Sequence, residues 1–423
     1  MSNFDLFIPQ TASESDFPGF SRLNSFAVRS DGYVALGGYI CESVGDDGES
    51  SWCSVNIPYA AVVDPSGATV LEFFPEPLSG VPNGTEVTSV SWQDDDLVAT
   101  GDVCVSEEWE QCNGWRFFAA RITIEGDVVW DIDLPHDEIA ASWFSIAGMS
   151  DDHTAVFYRD SSGGDDSFAR LISVDAAGAV EWSRSWPNES PHSIASLLDG
   201  TWIAAGAKMR GIDPTNGDVL WEWDAGPTYA VAPNAEFYTV DSGFRQVNLT
   251  RRDAEGNPYW ELGIDGLTGA LGVPACRGVV YLRRSEQEVS LTTHLVSDLG
   301  VVVDSETFVE PTDSYDDKGL LFASLASNGV GDVYVAPTFS FTDYSGDPPF
   351  TTYKTYLIRY RVTDDPDVSC SGPPPDDDAD DDVDDDVAAD DPDDDDGDDD
   401  DIGNLANDNV AESDGDDDNG CGC

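Results

Sequence analysis

The side chains that could carry chemistry in this 423-residue chain are four histidines, eight cysteines and 84 acidic residues set against 19 basic ones. The histidines, His136, His153, His192 and His294, stand far apart, and no pair has the spacing of a metal-binding helix or finger. No Gly-x-Ser-x-Gly elbow, no phosphate-cradling glycine loop closed by Lys and Ser/Thr, and no paired Cys/His nucleophile occurs. Carboxylates are so abundant that the nearness of two in sequence carries no information. The reading is therefore of a chain with no catalytic residue and no cofactor or metal site of its own. The alternative is an enzyme, a hydrolase, lyase or oxidoreductase, whose site assembles at a central channel from distant residues.

The cysteines are more ordered than the histidines. Cys41 and Cys53 flank one connection, Cys104 and Cys112 flank the equivalent connection in the next repeat, and Cys276 and Cys370 lie far down the chain. Two hairpin-stapling disulfides are expected from the first four, each worth about 2 to 3 kcal/mol for a short loop, and Cys276 could join Cys370; the alternative is buried free thiols, since spacing does not give the connectivity. Disulfides imply an oxidising compartment, so an extracytoplasmic location, at the cell surface or secreted, is expected. The first residues, Met1 to Pro9, hold no basic segment followed by an apolar run, so no signal peptide is read there. No stretch reaches the roughly 20 apolar residues that span a bilayer.

The formal net charge is −65. Ser371 to Cys423 contribute 25 acidic and no basic residues, which leaves −40 for the rest. Such a surface repels phosphate backbones and anionic lipids, which argues against nucleic-acid partners and direct membrane insertion. The segment 367–423 soon reaches Pro373-Pro374-Pro375, continues in aspartate runs and ends Gly420-Cys421-Gly422-Cys423. With nothing apolar to bury, it is expected to be a disordered spacer with weak, diffuse association of Ca²⁺ or other cations. A bridge between Cys421 and Cys423 would be strained, which favours external pairing, anchoring or modification.

The elements that must position any site come from a repeat. Seven times, a short apolar stretch follows an Asp/Gly/Asn-rich turn, as in Asp199-Gly200-Thr201-Trp202-Ile203-Ala204-Ala205, and most copies continue to a second turn and a Trp, as in Gly217-Asp218-Val219-Leu220-Trp221. A period of roughly 37 to 64 residues, built of strands and turns with period-two alternation, predicts an all-β, seven-bladed β-propeller of four-stranded antiparallel blades. The propeller is assigned to residues 1–366, with blades starting near 22, 86, 142, 192, 228, 267 and 319. The last lacks a fourth strand, and Phe4-Asp5-Leu6-Phe7-Ile8 resembles Trp130-Asp131-Ile132-Asp133-Leu134 of blade two, so residues 4–8 are expected to complete it and close the ring. Innermost strands carry small residues near their middle (Ser25, Ser89, Ser145, Ala195, Ala230, Gly269, Ser324), and Trp130, Trp182, Trp221 and Trp260 are expected to pack between blades.

The turn-and-Trp unit, above all Ile212-Asp213-Pro214-Thr215-Asn216-Gly217-Asp218-Val219-Leu220-Trp221, resembles the repeat of PQQ-like, quinoprotein-type β-propellers over residues 4 to 363. The resemblance implies the fold. The quinone-dependent dehydrogenases of that group use an adjacent cysteine pair and a calcium-binding acid and amide cluster, and no two cysteines are adjacent here. The aspartate-rich linker with terminal cysteines is similar to the stalk of bacterial surface proteins, without the apolar helix and basic end that normally follow. Together these give a non-enzymatic, monomeric propeller on an acidic stalk, offering a loop face to a protein or glycan. The long connections Glu42 to Trp52, Ser106 to Trp115, Asp160 to Ser167 and Phe341 to Tyr353 form that face, with Trp52, Trp109, Trp115 and Tyr344 as anchors.

Overall fold

The computed structural model describes residues 4–7, 21–46, 51–75, 86–104, 115–134, 144–148, 153–161, 167–197, 199–224, 228–231, 237–242, 246–265, 272–275, 278–285, 290–297, 299–309, 317–328, 332–343 and 350–361. All of them belong to one unit, Met1–Gly372. The segment 373–423, with Cys421 and Cys423, lies outside the described residues, as do Cys112, Cys276, Cys370, Trp109 and Tyr344.

After a first strand, β1 (Phe4–Phe7), the chain lays down seven antiparallel sheets in succession. Sheet I holds β2 (Ser21–Val28), β3 (Val34–Asp46), β4 (Ser51–Val63) and β5 (Thr69–Phe73). Sheet II holds β6 (Glu86–Gln93), β7 (Asp96–Cys104), β8 (Trp115–Ile122) and β9 (Val128–Asp133). Sheet III comprises β10 (Phe144–Gly148), β11 (Thr154–Ser161), β12 (Ser167–Val174) and β13 (Val180–Pro187), and sheet IV β14 (Ser193–Ser196), β15 (Trp202–Ala205), β16 (Lys208–Ile212) and β17 (Val219–Asp224). Sheet V is β18 (Thr228–Val231), β19 (Phe237–Ser242), β20 (Gln246–Arg252) and β21 (Pro258–Asp265). Sheet VI is β22 (Gly272–Ala275), β23 (Gly278–Ser285), β24 (Ser290–Ser297) and β25 (Val302–Val309). Sheet VII is built from β26 (Asp317–Ser327), β27 (Asp332–Asp343), β28 (Phe350–Thr355) and β29 (Leu357–Arg361), and β1 pairs antiparallel with β29, Phe4 opposite Tyr360 and Phe7 opposite Leu357. The described residues contain no helix.

Sheets I to VI are simple meanders, and the reason is local. The turn between third and fourth strands repeats one geometry. In sheet III the Asp175 amide donates to Ala179 O (2.9 Å), the Gly178 amide donates back to Asp175 O (3.0 Å), and Asp175 Oδ1 accepts from the amides of Ala177 and Ala179. Gly178 has φ +87°, a conformation that costs glycine little and other residues more. Asp64 caps the same turn in sheet I, and Asp213 caps a turn one residue longer in sheet IV. Hydrogen bonds from Ser66 and Thr215, respectively, hold their carboxyls below the usual range, so both stay anionic.

First strands of successive sheets lie side by side from β2 through β6, β10, β14, β18 and β22 to β26, and β26 lies against β2. Side chains stitch the first two together: Ser25 Oγ accepts from the Val90 amide (3.2 Å), and Trp92 Nε1 donates to Ala27 O (3.2 Å). Core clusters fill the spaces between sheets. One joins Val98, Phe117 and Trp130 of sheet II to Val156, Tyr158 and Ile172 of sheet III.

Of the first strand of sheet VI, expected from near residue 267, the described residues show Gly272–Ala275, with Ala275 opposite Gly278, and 266–271 with Gly269 lie outside the described residues. Two sequence expectations need correction. Glu42 to Trp52 is not a loop but the far end of a ribbon, since β3 and β4 stay paired out to Asp46 opposite Ser51. In the same way, most of Phe341 to Tyr353 is strand, with Phe341 opposite Thr352.

The tryptophan expectation is also refined. Trp130, Trp182 and Trp260 each lie over the turn glycine of the next sheet, where an added Cβ would come within 2.7 Å of Trp130 at Gly178, 2.6 Å of Trp182 at Gly217 and 2.9 Å of Trp260 at Gly300. Trp221 instead lies over Gly211 of its own sheet and stacks on Phe237 (6.1 Å between centroids), while Trp223 takes the glycine position, Gly256, of sheet V. Gly211 makes this possible, because a Cβ there would sit 2.3 Å from the Trp221 ring.

Candidate binding face

Every connection from second to third strand leaves its sheet at the end opposite the two tight turns, a consequence of the meander order. The four long connections singled out in the sequence are all of this type, so they share one end. Of the anchor residues, Trp52 stands on β4 opposite Gly45, and Trp115 opens β8 opposite Cys104. Cys41 is opposite Asn56 and Cys53 opposite Val44, so these two cysteines are not direct cross-strand partners.

At that same end the structure brings together a group the sequence did not single out. Glu86 and Asp102 are cross-strand partners at the ends of β6 and β7. Asn24 on β2 of sheet I donates from Nδ2 to Glu86 Oε2 (2.9 Å) and to Val87 O (3.1 Å), which ties the pair to the neighbouring sheet. Gly101 allows the close approach of the strands, since a Cβ there would meet Glu86 O at 2.1 Å. Burial first, and the negative charge of Glu86 second, push the Asp102 carboxyl up to about 8. Among the described residues no Lys or Arg pairs with either carboxylate. The arrangement can keep a proton on Asp102 near neutral pH, or offer a negative, hydrogen-bonding edge to a hydroxylated or cationic ligand. The signal in the sequence was Gly101-Asp102 at a strand end facing Glu86-Val87, invisible among 84 acids without the register.

Other charged groups are balanced. Arg210, buried at 2 % exposure, bonds bidentately to Glu189 (2.8 and 2.7 Å) and through Nε to Glu222 (2.7 Å), and stacks over Trp186 at 4.5 Å. Arg170 pairs with the buried Asp160 at 2.9 Å. Charge-assisted bonds of this geometry fix neighbouring elements rather than offer a site. Among the histidines, His153 Nδ1 lies 2.9 Å from Glu181 Oε2, and His294 Nδ1 lies 2.7 Å from Ser305 Oγ. Among the described residues no three His, Cys, Asp or Glu side chains converge as a metal cradle, and no helix is long and apolar enough to cross a membrane.

A cavity of about 230 Å³ sits at the opposite, turn end between sheets VII and I, lined by Gly32, Val63, Asp64, Pro65, Tyr334 and Arg359 among others. Arg359 there bonds Asp332 at 2.6 Å.

No protein-family model and no curated protein matches this sequence. Among solved structures, the Dos1 propeller is similar over 85% of this chain and 96% of its own, at 9% identity and a TM-score of 0.49. Prolyl oligopeptidase B from Galerina marginata, bound to a 25mer macrocyclization substrate, is similar over 79% of this chain at 10% identity and a TM-score of 0.44, and the similarity spans 48% of that enzyme. A eukaryotic initiation factor follows at 10% identity and a TM-score of 0.34. Likeness at this level carries no activity across.

Proposed function

We propose that the chain is an extracytoplasmic seven-bladed β-propeller that binds a protein or glycan at the end carrying its long second-to-third-strand connections, with the acidic segment after residue 366 as its spacer or tether. The seven sheets are the blades, first strands innermost, and β1 supplies the last outer strand and closes the ring. Support for closure comes from β26 lying against β2 and from the pairing of β1 with β29. The observation that carries the functional reading is the asymmetry of the two ends. At one end the turns are tight, capped and glycine-pinned; at the other, the β3/β4 and β27/β28 ribbons project. A rigid scaffold with its long segments gathered on one side is built for recognition there.

The test is capture of native cell-envelope proteins and of an immobilised glycan set by the full chain and by a Trp109→Ala/Trp115→Ala variant. Loss of the captured ligand at unchanged melting temperature supports the reading. Retention of binding by the double variant overturns the face assignment.

One observation favours a second reading. A carboxyl raised to about 8 beside a second carboxylate is the arrangement of a general acid with its partner. An enzyme using Asp102 as the acid and Glu86 as the base would lose glycan-hydrolysing turnover by about 100-fold or more in Asp102→Asn while retaining binding. Binding and no turnover in the parent protein discards this reading and leaves the first.

A further inference from the structure

The fourth strand of each sheet I to VI is a sheet edge, and in five of them the residue just after the bulge turns an apolar side chain inward: Leu71, Trp130, Trp182, Trp221 and Trp260. Sheet VI breaks the rule. The register-equivalent residue on β25 is Asp304, opposite Leu295, and, apart from the buried Phe308, the apolar residues of the strand and its turn stand outside. Leu299 is 84% exposed, Val301 57%, Val302 41%, Val303 58% and Val309 63%, the densest exposed apolar group among the described residues. Among those residues no strand pairs with the outer side of β25. Long apolar edges are normally blunted with Lys, Pro or a covering element, because their open amides and carbonyls recruit another strand. From Ser290 to Val309 the sequence has no Lys, Arg or Pro, and it carries Asp298, Asp304 and Glu306.

We infer that the β25 edge is a docking site for an extended peptide segment of a partner protein in which basic residues alternate with apolar ones, added as a fifth strand to sheet VI. Main-chain bonds to the open edge supply the affinity, the exposed valines pair with the apolar positions, and Glu306 with the chain's net negative charge selects the basic ones. Charge decides the occupant. A second copy of this chain would bring the same acids, within a net charge of −65, against themselves, whereas a basic segment is attracted.

The probe is a fluorescein-labelled octapeptide of alternating lysine and valine, with an alternating glutamate and valine peptide for comparison, titrated with the full chain and read by anisotropy at low and high salt. Two variants remove the ambiguity of simple charge attraction. Val301→Lys/Val303→Lys alters the proposed edge, and Val128→Lys/Val129→Lys makes the same charge change at the edge of sheet II, where those residues are 52% and 45% exposed. The expected result is binding of the basic peptide only, weakened at least about tenfold by the sheet VI variant, equivalent to about 1.4 kcal/mol, and less than about twofold by the sheet II variant. Equal weakening by both variants would assign the binding to diffuse charge and overturn the inference. So would the absence of binding, or a concentration-dependent dimer of the parent chain that Val301→Lys/Val303→Lys dissolves.

Discussion

Gly256 and Trp223 show how much of this molecule depends on single contacts. Gly256 has φ +91°, and a Cβ there would fall 1.5 Å from Trp223 Cζ2. Gly256→Ala therefore combines backbone strain with a clash and should cost about 3 kcal/mol or more in chemical denaturation. Trp223→Ala in the same chain should recover part of that loss, which a double-mutant cycle measures. Trp182 is held as firmly: it spans sheets III and IV, donating from Nε1 to Pro214 O (2.7 Å), and Arg184 beside it bonds Gly217 O (2.9 Å) and Asp218 (3.0 Å). Trp182→Ala should cost about 3 kcal/mol. Asp102 makes a pH prediction. Its folded carboxyl titrates at about 8, whereas in the unfolded chain it titrates at about 4. Between those values the folded state holds the extra proton, so the contribution of this group to stability falls as pH rises, with a slope of up to about 1.4 kcal/mol per pH unit. Asp102→Asn should flatten that part of the stability profile; an unchanged slope would remove the carboxyl pair from the account.

At the level of elements, the turns and strands were legible and the ends of strands were not. Asp-x-x-Gly turns at Asp64, Asp175 and Asp253 announce their hairpins because an aspartate that caps its own turn and a glycine that takes positive φ have few other uses in such spacing. The β3/β4 ribbon was hidden because Glu42, Gly45, Asp46 and Ser51 are poor strand formers individually, and only pairing across the ribbon holds them extended. The switch from Trp221 to Trp223 was hidden too, since it depends on Gly211 facing Trp221 across two strands. The Glu86 and Asp102 pair needed both register and neighbouring sheet. By contrast, the pairing of β1 with the last sheet was legible from its likeness to β9. Leu6→Pro removes a main-chain donor in β1 opposite Ile358. It should lower stability by about 3 kcal/mol and leave β29 with an open edge, raising oligomerisation in light scattering. An unchanged melting temperature would show that the pairing of β1 with β29 contributes nothing to stability.

At the scale of the whole molecule, charge sets the conditions of every other term. A formal charge of −65 repels itself in any compact state, so added salt should raise the melting temperature of the full chain. The same charge favours cationic over anionic ligands at both the long-connection end and the β25 edge. The most direct measurement of the central claim is hydrogen exchange of the full chain with and without the ligand captured from native envelopes or the glycan set. The account predicts protection at residues 42–52, 105–115 and 341–353 and at the strand ends around Glu86 and Asp102. Protection confined to the turn end, around Gly32, Asp64 and Pro65, with none in those segments, would contradict it.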